Sequence, residues 1–226
     1  MKERPILFSD EMVRAILAGQ KTQTRRVIKN TQEYTFKGMD GHIARFGYAD
    51  SILYVARHCP YGIPGDRLWV RETWAAPGYL DHRKPSDIED WNPILYRADG
   101  FIARQFAVDK NWLSSMFGRW RPSIFMPRWA SRINLEIVNV RVERLQDISE
   151  EDAKAEGVSA VMRDSGGCLP WGEWVEIPSY YDGFVETWDR INAKRSCGWD
   201  TNPWVWVIEF QVKENKEGSR VGRGKR

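Results

Sequence analysis

Apolar positions Met12, Val13, Ile16 and Leu17 recur at helical spacing behind Asp10, and Gly19 follows the last of them. An aspartate before the first turn and a glycine after the last mark helix ends, so the pattern predicts a short amphipathic helix over Asp10 to Ala18. The next stretch, Gln20 to Lys29, changes to threonine and arginine with Val27 and Ile28 and reads as a loop entering a strand. Gly65-Asp66 opens Arg67 to Thr73, in which Leu68 and Val70 share one strand face. The clearest strand is Asn134 to Leu145, carried by Leu135, Ile137, Val140 and Val142. Its period of two slips between Ile137 and Val138, which predicts a bulge. Ser149 is the expected N-cap of a short helix that ends at Gly157, with Asp152 at the capping-box position. Phe184, Val185, Trp188 and Ile191 form the apolar stripe of a helix over Asp182 to Asn192, and Trp204 to Val212 reads as a final strand.

Between these elements lie three expected insertions, near residues 30–64, 75–122 and 163–179. The first holds only short strand-like pieces such as Ile52 to Val55, and the third, Arg163 to Ser179, reads as loop. Structureless stretches of this length inside a domain are uncommon, so an insertion or a lid is the expected reading. Strands separated by single helices, with no βαβ rhythm and no glycine-rich phosphate loop, exclude a doubly wound nucleotide fold. The expected architecture is α+β: a small mixed β-barrel decorated by short helices, one domain over residues 1–212, followed by a basic disordered tail over 213–226.

The formal charge of +3 is unevenly placed. Lys213 to Arg226 carries six basic and two acidic residues, which leaves the body near −1. A near-neutral body argues against a duplex nucleic-acid binder working through its fold. From Met12 to Gln32, however, five basic residues meet no acidic one, so the end of the first helix and the loop beyond it are locally positive. No stretch approaches the length of a membrane-spanning apolar helix, and the chain is expected to be soluble and cytoplasmic. Cys59, Cys168 and Cys197 are odd in number and lack CxxC spacing, which fits a reducing compartment. His58 beside Cys59 has no second ligand pair to close a zinc site, and no metal or cofactor is expected.

The run Ile16-Leu17-Ala18-Gly19-Gln20-Lys21-Thr22-Gln23-Thr24-Arg25-Arg26 resembles the signature of the ASCH family, in which a short helix ends at glycine and continues as Lys-Thr-x-Thr-x-Arg. Gly65 to Glu72, Leu145 to Val158 and Asn202 to Phe210 resemble blocks of its larger, phage-type members. The four blocks cover about a quarter of the chain in the expected order.

The resemblance implies a PUA-like β-barrel with a cleft. Small bacterial members include an amidohydrolase that removes the acetyl group from N4-acetylcytidine with a Lys, a Thr and a Glu. On this chain these fall on Lys21, Thr24 and Glu156, with Glu150 and Glu151 as close alternatives for the acid.

Amide hydrolysis needs a nucleophile, a base, an acid for the leaving amine and a donor for the oxyanion. Two routes meet these needs. In one, Lys21 deprotonates Thr24, which attacks the acyl carbon; in the other, Glu156 activates water and Lys21 stabilises the oxyanion. Arg25 and Arg26 are expected on the ligand side, where the extra charge favours a phosphorylated ligand. Glu72, Trp69 and Trp74 are expected to line the same cleft, with an indole stacked on a base. Trp188, Trp204 and Trp206 sit on apolar faces and read as core. Besides the hydrolase, the sequence leaves open a non-catalytic module binding RNA or a modified base, and a ribonuclease; fold alone does not choose between them.

Overall fold

In the computed structural model, described over residues 1–29, 58–103, 116–168 and 174–213, the chain is mixed α+β. Strands β1 (Glu3–Leu7), β2 (Gln23–Val27), β3 (Arg67–Arg71), β7 (Asn134–Arg144) and β10 (Trp204–Lys213) form a mixed five-stranded sheet in the order β1-β3-β7-β10-β2. Strands β4 (Trp74–Ala75), β5 (Ile94–Tyr96) and β6 (Ile102–Ala103) make a small antiparallel sheet. A hairpin is formed by β8 (Val161–Cys168) and β9 (Trp174–Ser179). Among the described residues the α-helices are α1 (Asp10–Leu17), α2 (Glu150–Ala155) and α3 (Tyr180–Asn192). The tail beyond Lys213, the piece Ile52 to Val55 and most of the 30–64 insertion lie outside the described residues.

The chain divides into two compact units, the first comprising Met1–Arg14, Gly65–Glu136 and Gln211–Arg226, the second Ala15–Pro64 and Ile137–Phe210. In the first, β1 runs parallel to β3, pairing Glu3 with Arg67 through Leu7 with Arg71. Its core gathers Trp74, Leu80, Ile94, Tyr96 and Met126 under the small sheet. In the second, β2 pairs antiparallel with β10, and Leu145, Ala153, Phe184, Trp188, Val205 and Val207 pack together where α2 and α3 cover those strands.

Local sequence explains most of these boundaries. Helix α1 stops at Gly19, whose φ of 71° is the left-handed conformation glycine accepts without strain. Ser149 caps α2 by accepting from the Asp152 N–H at 3.1 Å. Along β7, Leu135 and Ile137 are buried, Val138 and Asn139 are exposed, and Val140 and Val142 are buried again. The burial phase therefore slips at Val138, and the Val140 N–H turns to the Asn139 side chain at 2.9 Å.

One expected loop is a correction. Arg163 to Ser179 largely forms the β8–β9 hairpin, with Val161 opposite Ser179 and Asp164 opposite Glu176. Met162 and Ile177 are both about half exposed. Met162 to Asp164 and Glu176 to Pro178 are all exposed, so these described positions show no alternation for a period-two reading to find.

Candidate functional site

In the second unit the turn after α1 delivers Lys21. The N–H groups of Gln20 and Lys21 both donate to the Ala15 carbonyl, at 2.9 and 3.0 Å, which folds the chain back under the helix end. Thr22 then bridges two elements, donating to Ala155 O at 2.9 Å and accepting from the Phe210 N–H at 2.8 Å. Lys21 is only 1% exposed. Its ammonium donates to Glu156 Oε2 at 2.8 Å and to the Glu156 carbonyl at 2.7 Å. Glu156 is the C-terminal cap of α2, so the backbone that ends the helix and the carboxylate beyond it receive the same cation.

Gly157 makes this approach possible. Its φ is 72°, and a Cβ there would lie 2.7 Å from the Lys21 Cβ and 2.8 Å from the Ala15 Cβ. Gly157→Ala is therefore expected to strain the backbone and displace Lys21 together, destabilising the protein by about 1–3 kcal/mol. A urea-unfolding midpoint close to that of the native protein would count against this reading of the glycine.

Arg25 occupies the centre of a larger charged network. It is 3% exposed and donates to Glu143 Oε1 at 2.5 Å, Asp152 Oδ2 at 2.7 Å and Glu156 Oε1 at 3.2 Å. Arg141 extends the network through Glu143 Oε2 at 3.1 Å, Asp152 Oδ2 at 2.6 Å and Glu209 Oε1. The Gln23 side chain donates to the Asp152 carbonyl at 2.9 Å. The expected ligand-side position of Arg25 is thus corrected: its charge is spent on three carboxylates of its own chain. Asp152 is corrected as well, because its Oδ2, expected to close a capping box, accepts from two arginines. Glu143, Arg141 and Glu209 were not singled out in the sequence, since alternate charges on a strand ordinarily mark a solvated face.

Strand alternation decides the place of Thr24. Gln23 and Arg25 reach α2 residues, while Thr24 and Arg26 pair with Ile208 and Trp206 and take the other face of β2. The structure thus joins Lys21 to Glu156, while Thr24, 2% exposed, takes the face of β2 opposite Gln23 and Arg25 and makes no hydrogen bond to Lys21 or Glu156 among the described residues. Of the alternative acids, Glu150 accepts from the N–H groups of Tyr180 and Tyr181 at 2.6 and 2.9 Å, capping α3.

Burial pulls the Lys21 ammonium below its ordinary range; Glu156 opposes this, and Arg26 and Arg25 add smaller pushes in the same direction as burial. Burial also lowers Arg26, against Tyr61 and Glu156, which favour its charge. Asp152 is raised by burial, but its bonds to Arg25 and Arg141 outweigh that and hold it below the usual carboxylate range.

An open depression of about 380 Å³ lies on the flank of this network, lined by Thr22, Gln23, Val138, Arg141, Asp152, Glu209 and Phe210. Lys21, Thr24 and Glu156 are not part of its lining. Its charged groups, Arg141, Asp152 and Glu209, are paired with one another.

The remaining expected site residues belong to the first unit and serve its interior. Glu72 is fully buried and held by the Arg132 guanidinium at 2.9 and 2.8 Å, with Asp99 on the outer side of the same arginine. Trp74, also fully buried, packs edge-on to Trp129 at 6.3 Å. Exposing such an indole to a ligand would forfeit about 4–6 kcal/mol of burial. Trp69 is 7% exposed, beneath Arg71 and Arg128 at 4.6 and 5.8 Å. None of the three takes the base-stacking or cleft-lining role expected of it, because the apolar faces of β3 and β4 are consumed by the core.

Among the described residues no group of histidine, cysteine and carboxylate side chains is arranged to hold a metal. No described helix is long and apolar enough to cross a membrane. Comparison of the chain with family models, with curated proteins and with solved structures gives no match.

Proposed function

We propose that the chain is an ASCH-type amidohydrolase acting on an N4-acylated cytidine or a similar acylated base, with Lys21 and Glu156 as its catalytic pair. The observation that carries this is the buried contact between Lys21 Nζ and Glu156 Oε2 at 2.8 Å. Lys21, carried over through the Lys-Thr-x-Thr-x-Arg run, and Glu156, carried over by laying the helix Glu150 to Gly157 on the corresponding family helix, are 135 positions apart and meet at hydrogen-bond distance. The resemblance also carries the expectation of a PUA-like barrel, and the mixed five-stranded sheet of the α+β fold is what supports it.

That Lys21 bonds Glu156 and not Thr24 favours direct attack by water. Glu156 takes a proton from water as the water oxygen bonds to the acyl carbon and the carbonyl electron pair moves onto oxygen. The tetrahedral species collapses by breaking the C–N bond, and the Lys21 ammonium gives its proton to the departing cytosine nitrogen. Proton return from Glu156 to Lys21, across their hydrogen bond, restores both groups. A lowered Lys21 pKa helps this step, because a weaker hold on the proton makes a better acid. With Arg25 neutralised by its own carboxylates, the preferred substrate is a free nucleoside or base and not a phosphorylated one.

The direct test is chromatographic detection of cytidine released from N4-acetylcytidine by the purified protein and by its Lys21→Ala variant. Release by the native chain alone supports the hydrolase. No release by either, across several N4-acylcytidines, points to the second reading, a module that binds a modified base or RNA without hydrolysing it. That reading is favoured by the closure of the pair, since Lys21 and Glu156 satisfy each other and are at most 5% exposed.

A further inference from the structure

In the first unit, the outer face of the β1–β3 pair carries a fixed cation beside exposed apolar groups. Along β3, Leu68 and Val70 are fully buried toward the core, so Arg67, Trp69 and Arg71 share the other face. Register sets Glu3, Pro5 and Leu7 of β1 beside them, with Leu7 next to Arg71. The Arg71 guanidinium lies over the Trp69 ring at 4.6 Å and donates from Nη1 to the Ile124 carbonyl at 3.1 Å. That bond draws the short turn Ser123–Phe125 onto the same face. Leu7, Ile124 and Phe125 are 42%, 56% and 58% exposed.

The acids around this face are already matched. Glu3 accepts from Arg128 at 3.2 Å, and Glu136 accepts from Lys213 at 2.9 Å. Glu72, next in the chain after Arg71, is turned inward to Arg132. Pro122 to Arg128, the segment that supplies Ile124 and Phe125, contains no acidic residue. Arg71 makes no ion pair among the described residues, and its enclosed Nε has no hydrogen-bond acceptor there. Its guanidinium is therefore held in place by one carbonyl and an indole ring, and no carboxylate compensates its charge.

We propose that this face docks a peptide segment in which a carboxylate adjoins an aliphatic or aromatic side chain, the carboxylate on Arg71 and the apolar group against Leu7, Ile124 and Phe125. Charge complementarity asks for the carboxylate, because a wholly apolar partner would bury Arg71 unpaired. A free carboxylate or phosphate ion would leave the three apolar side chains in water. A second copy of the chain brings no carboxylate from this face, since those it has are matched. A polyanionic strand or an anionic membrane needs a row of unmatched cations, whereas Arg67, the next on the face, lies between Glu3 and Glu136 in register.

The test is selection of a phage-displayed random dodecapeptide library on the full chain, followed by fluorescence anisotropy of the selected peptides with the full chain and its Arg71→Gln and Phe125→Ser variants. Glutamine keeps a planar group over Trp69 and Phe125 is exposed, so both variants are expected to fold, which circular dichroism checks; if Arg71→Gln unfolds, Phe125→Ser decides alone. Enriched peptides are expected to carry Asp or Glu beside Leu, Ile, Phe or Trp. Their binding should weaken about tenfold or more in Arg71→Gln and about tenfold in Phe125→Ser, and should fall as salt rises. No enrichment, enriched peptides without an acid, or binding that either folded variant leaves unchanged would overturn the proposal. So would a self-association that Phe125→Ser abolishes, which gives the face to a second copy, or the same loss of binding to phosphatidylserine vesicles, which gives it to a membrane. Cytidine release from N4-acetylcytidine should be equal in the three proteins, so this docking face and the pocket reading stand or fall separately.

Discussion

Replacing Glu156 by Gln is expected to abolish amide hydrolysis while leaving ligand affinity near its native value. Glutamine keeps the shape of the side chain, and its Oε1 still accepts from Lys21, which sits 2.8 Å from Glu156 Oε2 in the native protein. Its amide nitrogen replaces the oxygen that accepts from Arg25 at 3.2 Å, so circular dichroism and urea unfolding first check that the variant is folded; the group that takes the proton from water is gone. General-base removal of this kind lowers kcat by about 10²–10⁴-fold with little change in KM. Steady-state kinetics on N4-acetylcytidine checks it, and unchanged turnover would remove Glu156 from the mechanism.

Two companion measurements separate the routes. Thr24→Val should retain turnover, because the Lys21 ammonium bonds Glu156 and not the Thr24 hydroxyl; its loss would restore the route through an acyl-enzyme on Thr24. As pH rises, the Lys21 acid should be lost below the ordinary lysine value, since burial lowers its pKa. The same shift has a stability sign. Between the lowered folded value and the unfolded one the unfolded chain binds more protons, so this group makes stability rise with pH across that window.

Arg25→Ala is expected to cost about 3–5 kcal/mol, because it leaves Glu143, Asp152 and Glu156 facing one another without their shared cation. That is a large part of the ~5–15 kcal/mol by which domains are usually stable. Urea unfolding followed by tryptophan fluorescence reads it directly, and a loss below about 1 kcal/mol would show the network to be no more than a surface ion pair. The acid limb should move too. Asp152 contributes stability above its unfolded pKa that is lost as pH falls through its lowered folded value; removing Arg25 raises that folded value, so acid unfolding begins at a higher pH.

Elements whose apolar residues face one core were legible from period alone. Helix α1, its glycine stop, strand β7 with the phase slip at Val138, and Ser149 as a cap all follow from local chemistry that acts over a few residues. The β8–β9 hairpin was not legible, because Met162 and Ile177, its apolar residues among the described positions 162–164 and 176–178, are exposed and mark no buried stripe there. The aromatic residues Trp69 and Trp74 misled for a related reason. A tryptophan after a strand has the same letters whether it stacks on a ligand or fills a core, and only packing against Met126, Trp129 and Tyr96 made Trp74 a core residue.

Lys21 and Glu156 were brought forward by a motif and a helix end, and the sequence by itself determined that a lysine follows the glycine stop and that a glutamate precedes Gly157. Which face each residue takes, and who neutralises whom, was decided only by the tertiary structure. Arg25 sits 118 residues from Glu143 and 131 from Glu156, and no local rule carries information across such separations. The pairing of β2 with β10 and the packing of α2 beside them set Arg25 among three carboxylates and Thr24 on the far side. The charge of a side chain is written in its type, but the field that charge feels is the sum over every group the fold brings within a few ångströms.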